Sequence, residues 1–111
     1  MTSTVASASG AQSAEPRAAT DTVRAYFFVS APADPGLLPR LIEPVAKLGA
    51  VPQRVHASRE SGDGSELAVE LRLAGVARRT ADLVERALRA VAGVRQVMAV
   101  VEREDAAERL S

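Results

Sequence analysis

Cysteine is absent from this chain, which removes disulfides, thiolate nucleophiles, iron–sulfur ligation and the usual soft-metal ligands. Aromatic residues make up only 3%, so a core drawn from the 47% apolar content has to be built mostly of Val, Leu and Ala. Neither charge sign is in excess, with 14 basic and 14 acidic residues, and no global attraction to nucleic acid or to an anionic membrane is expected. No apolar run approaches the roughly 20 residues that span a bilayer, and residues 1–20 lack the basic start and apolar segment of a secretion signal. A cytoplasmic protein is expected. His56 is the single histidine; with no cysteine and no close group of carboxylates it completes neither a metal site nor a nucleophilic relay. There is no asparagine, which counts against an acylphosphatase-like use of an α+β fold. No catalytic residue, cofactor or metal is expected.

The 111 residues suffice for one domain. Residues 1–21, rich in Ala, Ser and Thr without periodicity, are expected to form a disordered tail, and 103–111 a charged C-terminal extension. Between them, over 22–102, the hydrophobic period changes in a regular way. Val23, Ala25, Phe27 and Val29 alternate with Arg24, Tyr26, Phe28 and Ser30, the period of a strand. Leu38, Leu41, Ile42, Val45 and Leu48 recur every three or four residues, a helix ended near Gly49 and interrupted by Pro44, which is expected to cost a hydrogen bond and bend the axis. A second strand is predicted from about Pro52 to Ser58, and Gly62-Asp63-Gly64 marks a hairpin. Glu66, Ala68, Glu70 and Arg72 alternate with Leu67, Val69, Leu71 and Leu73 in a third strand. Thr80 is the predicted cap of a second helix with the stripe Leu83, Val84, Ala87, Leu88 and Val91, closed by Gly93; Val94 to Val101 forms the last strand. The order βαββαβ is the ferredoxin-like plan, a two-layer sandwich with a four-stranded antiparallel sheet and both helices on one face.

Two places stand out. The run Ala33-Asp34-Pro35-Gly36-Leu37-Leu38 joins the first strand to the first helix, where free backbone N–H groups favour an anion. Asp34 is expected to cap the helix, Pro35 to occupy its first turn and Gly36 to admit a ligand or a second chain; an ordinary strand-to-helix turn uses the same residues. On the sheet face away from the helices, Tyr26 and Phe28 are expected beside Met98 and Val100, an apolar group of the kind found at interfaces, with a homodimer or subunit contact as its reading. An RNA-binding sheet would need aromatic and basic residues on the third strand too. Ala68, Glu70 and Arg72 stand there instead, so no nucleic-acid partner is expected.

The first strand leading into Asp34-Pro35-Gly36-Leu37-Leu38, the Gly49 link and the closing Val94-Arg95-Gln96-Val97 pattern give about 80 residues a resemblance to ACT domains, in particular to the small regulatory subunits of acetolactate (acetohydroxyacid) synthase. That resemblance implies a non-catalytic domain that dimerises, associates with a large thiamine-diphosphate enzyme in branched-chain amino-acid biosynthesis and, in many members, binds an amino-acid effector at a domain interface. The implied effector loop is Ala33 to Leu38. The family often carries Asp or Asn two residues before the loop's proline or its equivalent; here Ala33 stands there, and a methyl group accepts no ammonium proton. The alternative implied by the resemblance is a free-standing amino-acid sensor.

Overall fold

A computed structural model describes residues 22–104; the predicted tail at 1–21 and most of the extension at 103–111 lie outside the described residues. Six elements follow in the order β1 (Thr22–Pro32), α1 (Leu37–Lys47), β2 (Arg54–Glu60), β3 (Glu66–Ala77), α2 (Arg78–Arg89) and β4 (Gln96–Arg103). The strands form one antiparallel sheet in the spatial order β2-β3-β1-β4. This is the expected ferredoxin-like arrangement. β4 is displaced by two residues from the predicted Val94 to Val101, and Glu104 ties its end down by accepting hydrogen bonds from the Thr22 hydroxyl and the Gly75 N–H.

The core lies between the sheet and the helices. Val23, Ala25, Phe27, Val29 and Ala31 of β1 meet Val69, Leu71 and Leu73 of β3 and Val97 of β4, all buried. Leu37, Leu41 and Val45 of α1 and Ala81, Val84 and Leu88 of α2 close the other side. No charged or polar side chain is buried among the described residues, so the core rests on apolar burial alone. The predicted α1 stripe is shifted: Leu37 is buried, Leu38 and Ile42 are only partly so, and Leu48 is exposed.

Local chemistry explains where the elements stop. α1 ends in a Schellman arrangement: Gly49, at φ 80°, donates to Ala46 O at 3.0 Å and Ala50 to Val45 O at 3.1 Å. Ala50 then packs as a buried residue, which fixes the chain's exit. Pro44 lies inside α1, yet the helix runs on to Lys47. Thr80 does not cap α2. The helix starts at Arg78 with Ala77 as its flanking residue and no side-chain cap, because β3 runs directly into it after Gly75 bends the strand at φ 68°. α2 likewise ends before Gly93, at Arg89, and Gly93 shapes the following turn at φ 96°. The hairpin turn lies where Gly62-Asp63-Gly64 predicted, but it is a loop from Ser61 to Ser65 between the paired residues Glu60 and Glu66.

Candidate functional sites

The β1–α1 loop behaves differently from its predicted form. Asp34 is not the helix cap: Gly36 holds that position, and no side chain caps the helix. The Asp34 carboxylate accepts the Gly36 N–H at 3.1 Å while its carbonyl accepts the Leu37 N–H at 3.0 Å, so Asp34 builds the turn that precedes the helix, and Pro35 sits in that turn. The same carboxylate oxygen receives Arg40 Nη2 at 3.2 Å. Gly36 is also less open than expected, because a Cβ there would lie 2.6 Å from Arg40 Nη1.

Three of the six predicted loop residues border a depression of about 350 Å³, namely Ala33, Asp34 and Pro35, joined by Arg59 and Leu67. The other three serve packing or lie behind the ion pair: Leu37 is buried in the core, Leu38 packs against it, and Gly36 stands behind Arg40. Arg59 is the residue that the sequence reading missed. In register it pairs with Leu67, which pairs with Ala31, so it continues the helix-side row of β2 after Val55 and Ala57. That two-residue spacing was a usable signal, masked because almost every residue of β2 is exposed on both faces. Arg59 Nε donates to Gly64 O at 2.9 Å, which holds the guanidinium beside the loop with its terminal nitrogens available for an anion. The depression therefore offers a carboxylate a cation. Among the described residues Asp34 is the one acidic group lining it, shared with Arg40, and the Ala33 side chain adds no acceptor.

The second site is the sheet's open face. The register aligns His56, Glu70, Phe28 and Met98 in one row and Arg54, Arg72, Tyr26 and Val100 in the next. Tyr26, Phe28, Met98 and Val100 thus form one contiguous group over β1 and β4. Phe28 is 41% exposed, Met98 54% and Val100 42%. Arg72 flanks the group, with its guanidinium 3.2 Å from Glu70 and 5.0 Å from the Tyr26 ring centre, a cation–π contact. Among the described residues no group of three or more metal-ligating side chains exists, and no helix is long and apolar enough to cross a membrane.

No protein-family model and no curated protein matches the sequence. Solved structures do match the fold. The ACT domain of GTP pyrophosphokinase from Chlorobium tepidum superposes with a TM-score of 0.59 at 14% identity, over 71% of this chain and 99% of that one. The regulatory subunit of aspartate kinase from Thermus flavus gives 0.53 at 14% identity, over 75% of this chain and 52% of that one. The C-terminal domain of the MgtC protein from Mycobacterium tuberculosis gives 0.58 at 9% identity, over 78% and 95%. At these identities the likeness is one of fold: the chain has the βαββαβ architecture that ACT domains use.

Proposed function

We propose that this chain is a non-catalytic regulatory subunit that works by association, pairing with a second copy and docking on a large thiamine-diphosphate enzyme of the acetolactate synthase type, whose turnover it raises in the cytoplasm. The observation that carries the reading is the open face, where Phe28, Met98 and Val100 are exposed together beside Tyr26, over which Arg72 lies. A contiguous apolar group rich in aromatic and Met side chains is the composition of an interface centre, and water is a poor neighbour for it. The choice of enzyme rests on the resemblance of the loop Ala33 to Leu38 and of the closing Val94 to Val97 pattern. Mixing the purified chain with an acetolactate synthase catalytic subunit is expected to yield a complex in gel filtration and a change in turnover. No complex and no rate change would remove this assignment.

The depression beside Arg59 favours a second reading, a free-standing sensor that binds an amino acid at a homodimer interface. Arg59 supplies the cation for the carboxylate, and Asp34 the acceptor for the ammonium group once Arg40 yields it. Calorimetry against a full amino-acid panel tests it: the sensor requires measurable heat from at least one amino acid and an Arg59→Ala variant that loses it, and absence of heat across the panel would remove this reading.

A further inference from the structure

The arginines among the described residues fall into two groups. Arg24, Arg40, Arg72, Arg89 and Arg95 each face a carboxylate, and Arg59 donates to a backbone carbonyl. Arg54, Arg78, Arg79, Arg86 and Arg103 have no such partner among the described residues, and all of these except Arg54 gather in one place. Arg78, Arg79 and Arg103 line a cavity of about 540 Å³ with Val23 and Ala77. Arg78 and Arg79 also border the adjoining hollow of about 460 Å³, which adds Arg86, Leu83 and Asp82.

The fold brings these cations together from separate parts of the chain. Arg103 pairs in register with Val23, and so continues the core-side row of β4 after Val97, Ala99 and Val101. It emerges on the helix side of the sheet, beside the start of α2, because Thr22 next to Val23 pairs with Ala77. The placement is unfavourable for the chain by itself. Like charges share one hollow, α2 has no acidic residue in its first turn, and Arg78 and Arg79 stand at the end of the helix where its dipole repels cations. Among the described residues Asp82 is the one carboxylate lining the groove, and it forms no ion pair with any of them.

We infer that this groove binds a phosphate-bearing small molecule, held by the guanidinium groups of Arg78, Arg79 and Arg103. Guanidinium forks match phosphate oxygens two at a time, and a hollow of this size suits a small ligand rather than a polymer. A neutral chain also lacks the long-range field that draws in nucleic acid. The site is separate from both the open sheet face and the Arg59 depression, so it stands or falls independently of the regulatory reading.

The test is an NMR titration of the isotopically labelled full chain with inorganic pyrophosphate, repeated with ATP and with a short single-stranded RNA. Shifts confined to the amides of Val23, Ala77, Arg78, Arg79 and Arg103 are expected. Arg79→Ala and Arg103→Ala should each weaken pyrophosphate binding at least about tenfold, with Arg89→Ala, on the same helix but ion-paired, unchanged. Thermal melts of all three variants check that they fold. The inference is overturned by absence of shifts at millimolar pyrophosphate, by shifts centred on Arg59, or by equal loss in Arg89→Ala. Tighter binding of the RNA than of either small probe would overturn it in favour of a nucleic-acid surface.

Discussion

Phe27 and Phe28 are neighbours in sequence and opposites in surroundings. Phe27 is fully buried beneath the helices, whereas Phe28 is 41% exposed on the open face of the same sheet. The strand's alternation sends one ring to each side, so β1 carries stability on one face and recognition on the other. The covered face is made of apolar side chains whose loss leaves a cavity. The open face mixes exposed apolar groups with ion pairs such as Arg72 with Glu70, which are worth little to folding in water. A residue's contribution to stability should therefore follow its face, and its contribution to assembly should follow the opposite one.

The largest effect expected is that of Phe27→Ala, which removes a fully buried ring from the middle of the core and should cost about 3–5 kcal/mol in urea denaturation. Phe28→Ala should cost at most about 1 kcal/mol. Similar costs for the two would break the comparison, since they would mean that the open face is as tightly packed as the covered one.

The converse experiment measures assembly. Replacing Tyr26 and Phe28 together with Ser should weaken self-association or docking on a synthase by at least about tenfold in sedimentation, because residues central to an interface dominate its affinity. The urea midpoint of the monomer should move much less than it does for Phe27→Ala. Assembly that survives the double substitution would place the interface elsewhere, with the exposed edge of β2 or of β4 as the alternative.

A smaller effect tests the β1–α1 loop. Gly36→Val puts a Cβ against the end of the Arg40 side chain, which is flexible and can swing away, so the main loss is the exposed Asp34–Arg40 ion pair. The stability cost should stay near about 1 kcal/mol. If the depression binds an amino acid, Arg59→Ala should abolish that binding and Gly36→Val should preserve it, because Gly36 does not line the hollow. The reverse ranking in calorimetry would return the site to the start of the helix.

Much of this arrangement was legible in the chain. Strict alternation in β1 and β3 identified both faces, since each of those strands has neighbours on either side and packs against the helices. The group Tyr26, Phe28, Met98 and Val100 followed from the same parity. The caps were read wrongly for a physical reason: Asp34 and Thr80 are good capping residues, but the turn at Asp34 and the direct passage from β3 into α2 are set by tertiary packing, which a local motif does not contain. Arg59 and the arginine groove were hidden because they depend on pairing across the sheet. Arg59 needs Leu67 opposite it, and Arg103 needs Val23. Arg78 and Arg79 are adjacent in sequence, and only β4's register adds the third guanidinium.

The smallest effect lies far from both faces, in the loop joining β2 and β3. The hydroxyl and the N–H of Ser65 both donate to the Asp63 carboxylate, the latter at 3.0 Å, and together they hold its pKa below the ordinary value of 3.8. In the unfolded chain those donors are lost and the pKa returns to its usual range. The folded form therefore gains from this carboxylate above the unfolded pKa, and the gain disappears as pH falls through the lower, folded value. Asp63→Asn keeps an oxygen for the Ser65 N–H but removes the charge, so the stability difference between parent and variant should shrink on acidification from about pH 6 toward about pH 2. Carbon-detected NMR titration of the Asp63 carboxyl gives the direct check, and a midpoint at or above 3.8 would show that the Ser65 donors do not hold the loop in solution. Because the group is fully exposed, the change should be small beside any substitution on the covered face, as expected if burial against the helices, rather than polar contacts in water, sets the stability of this fold.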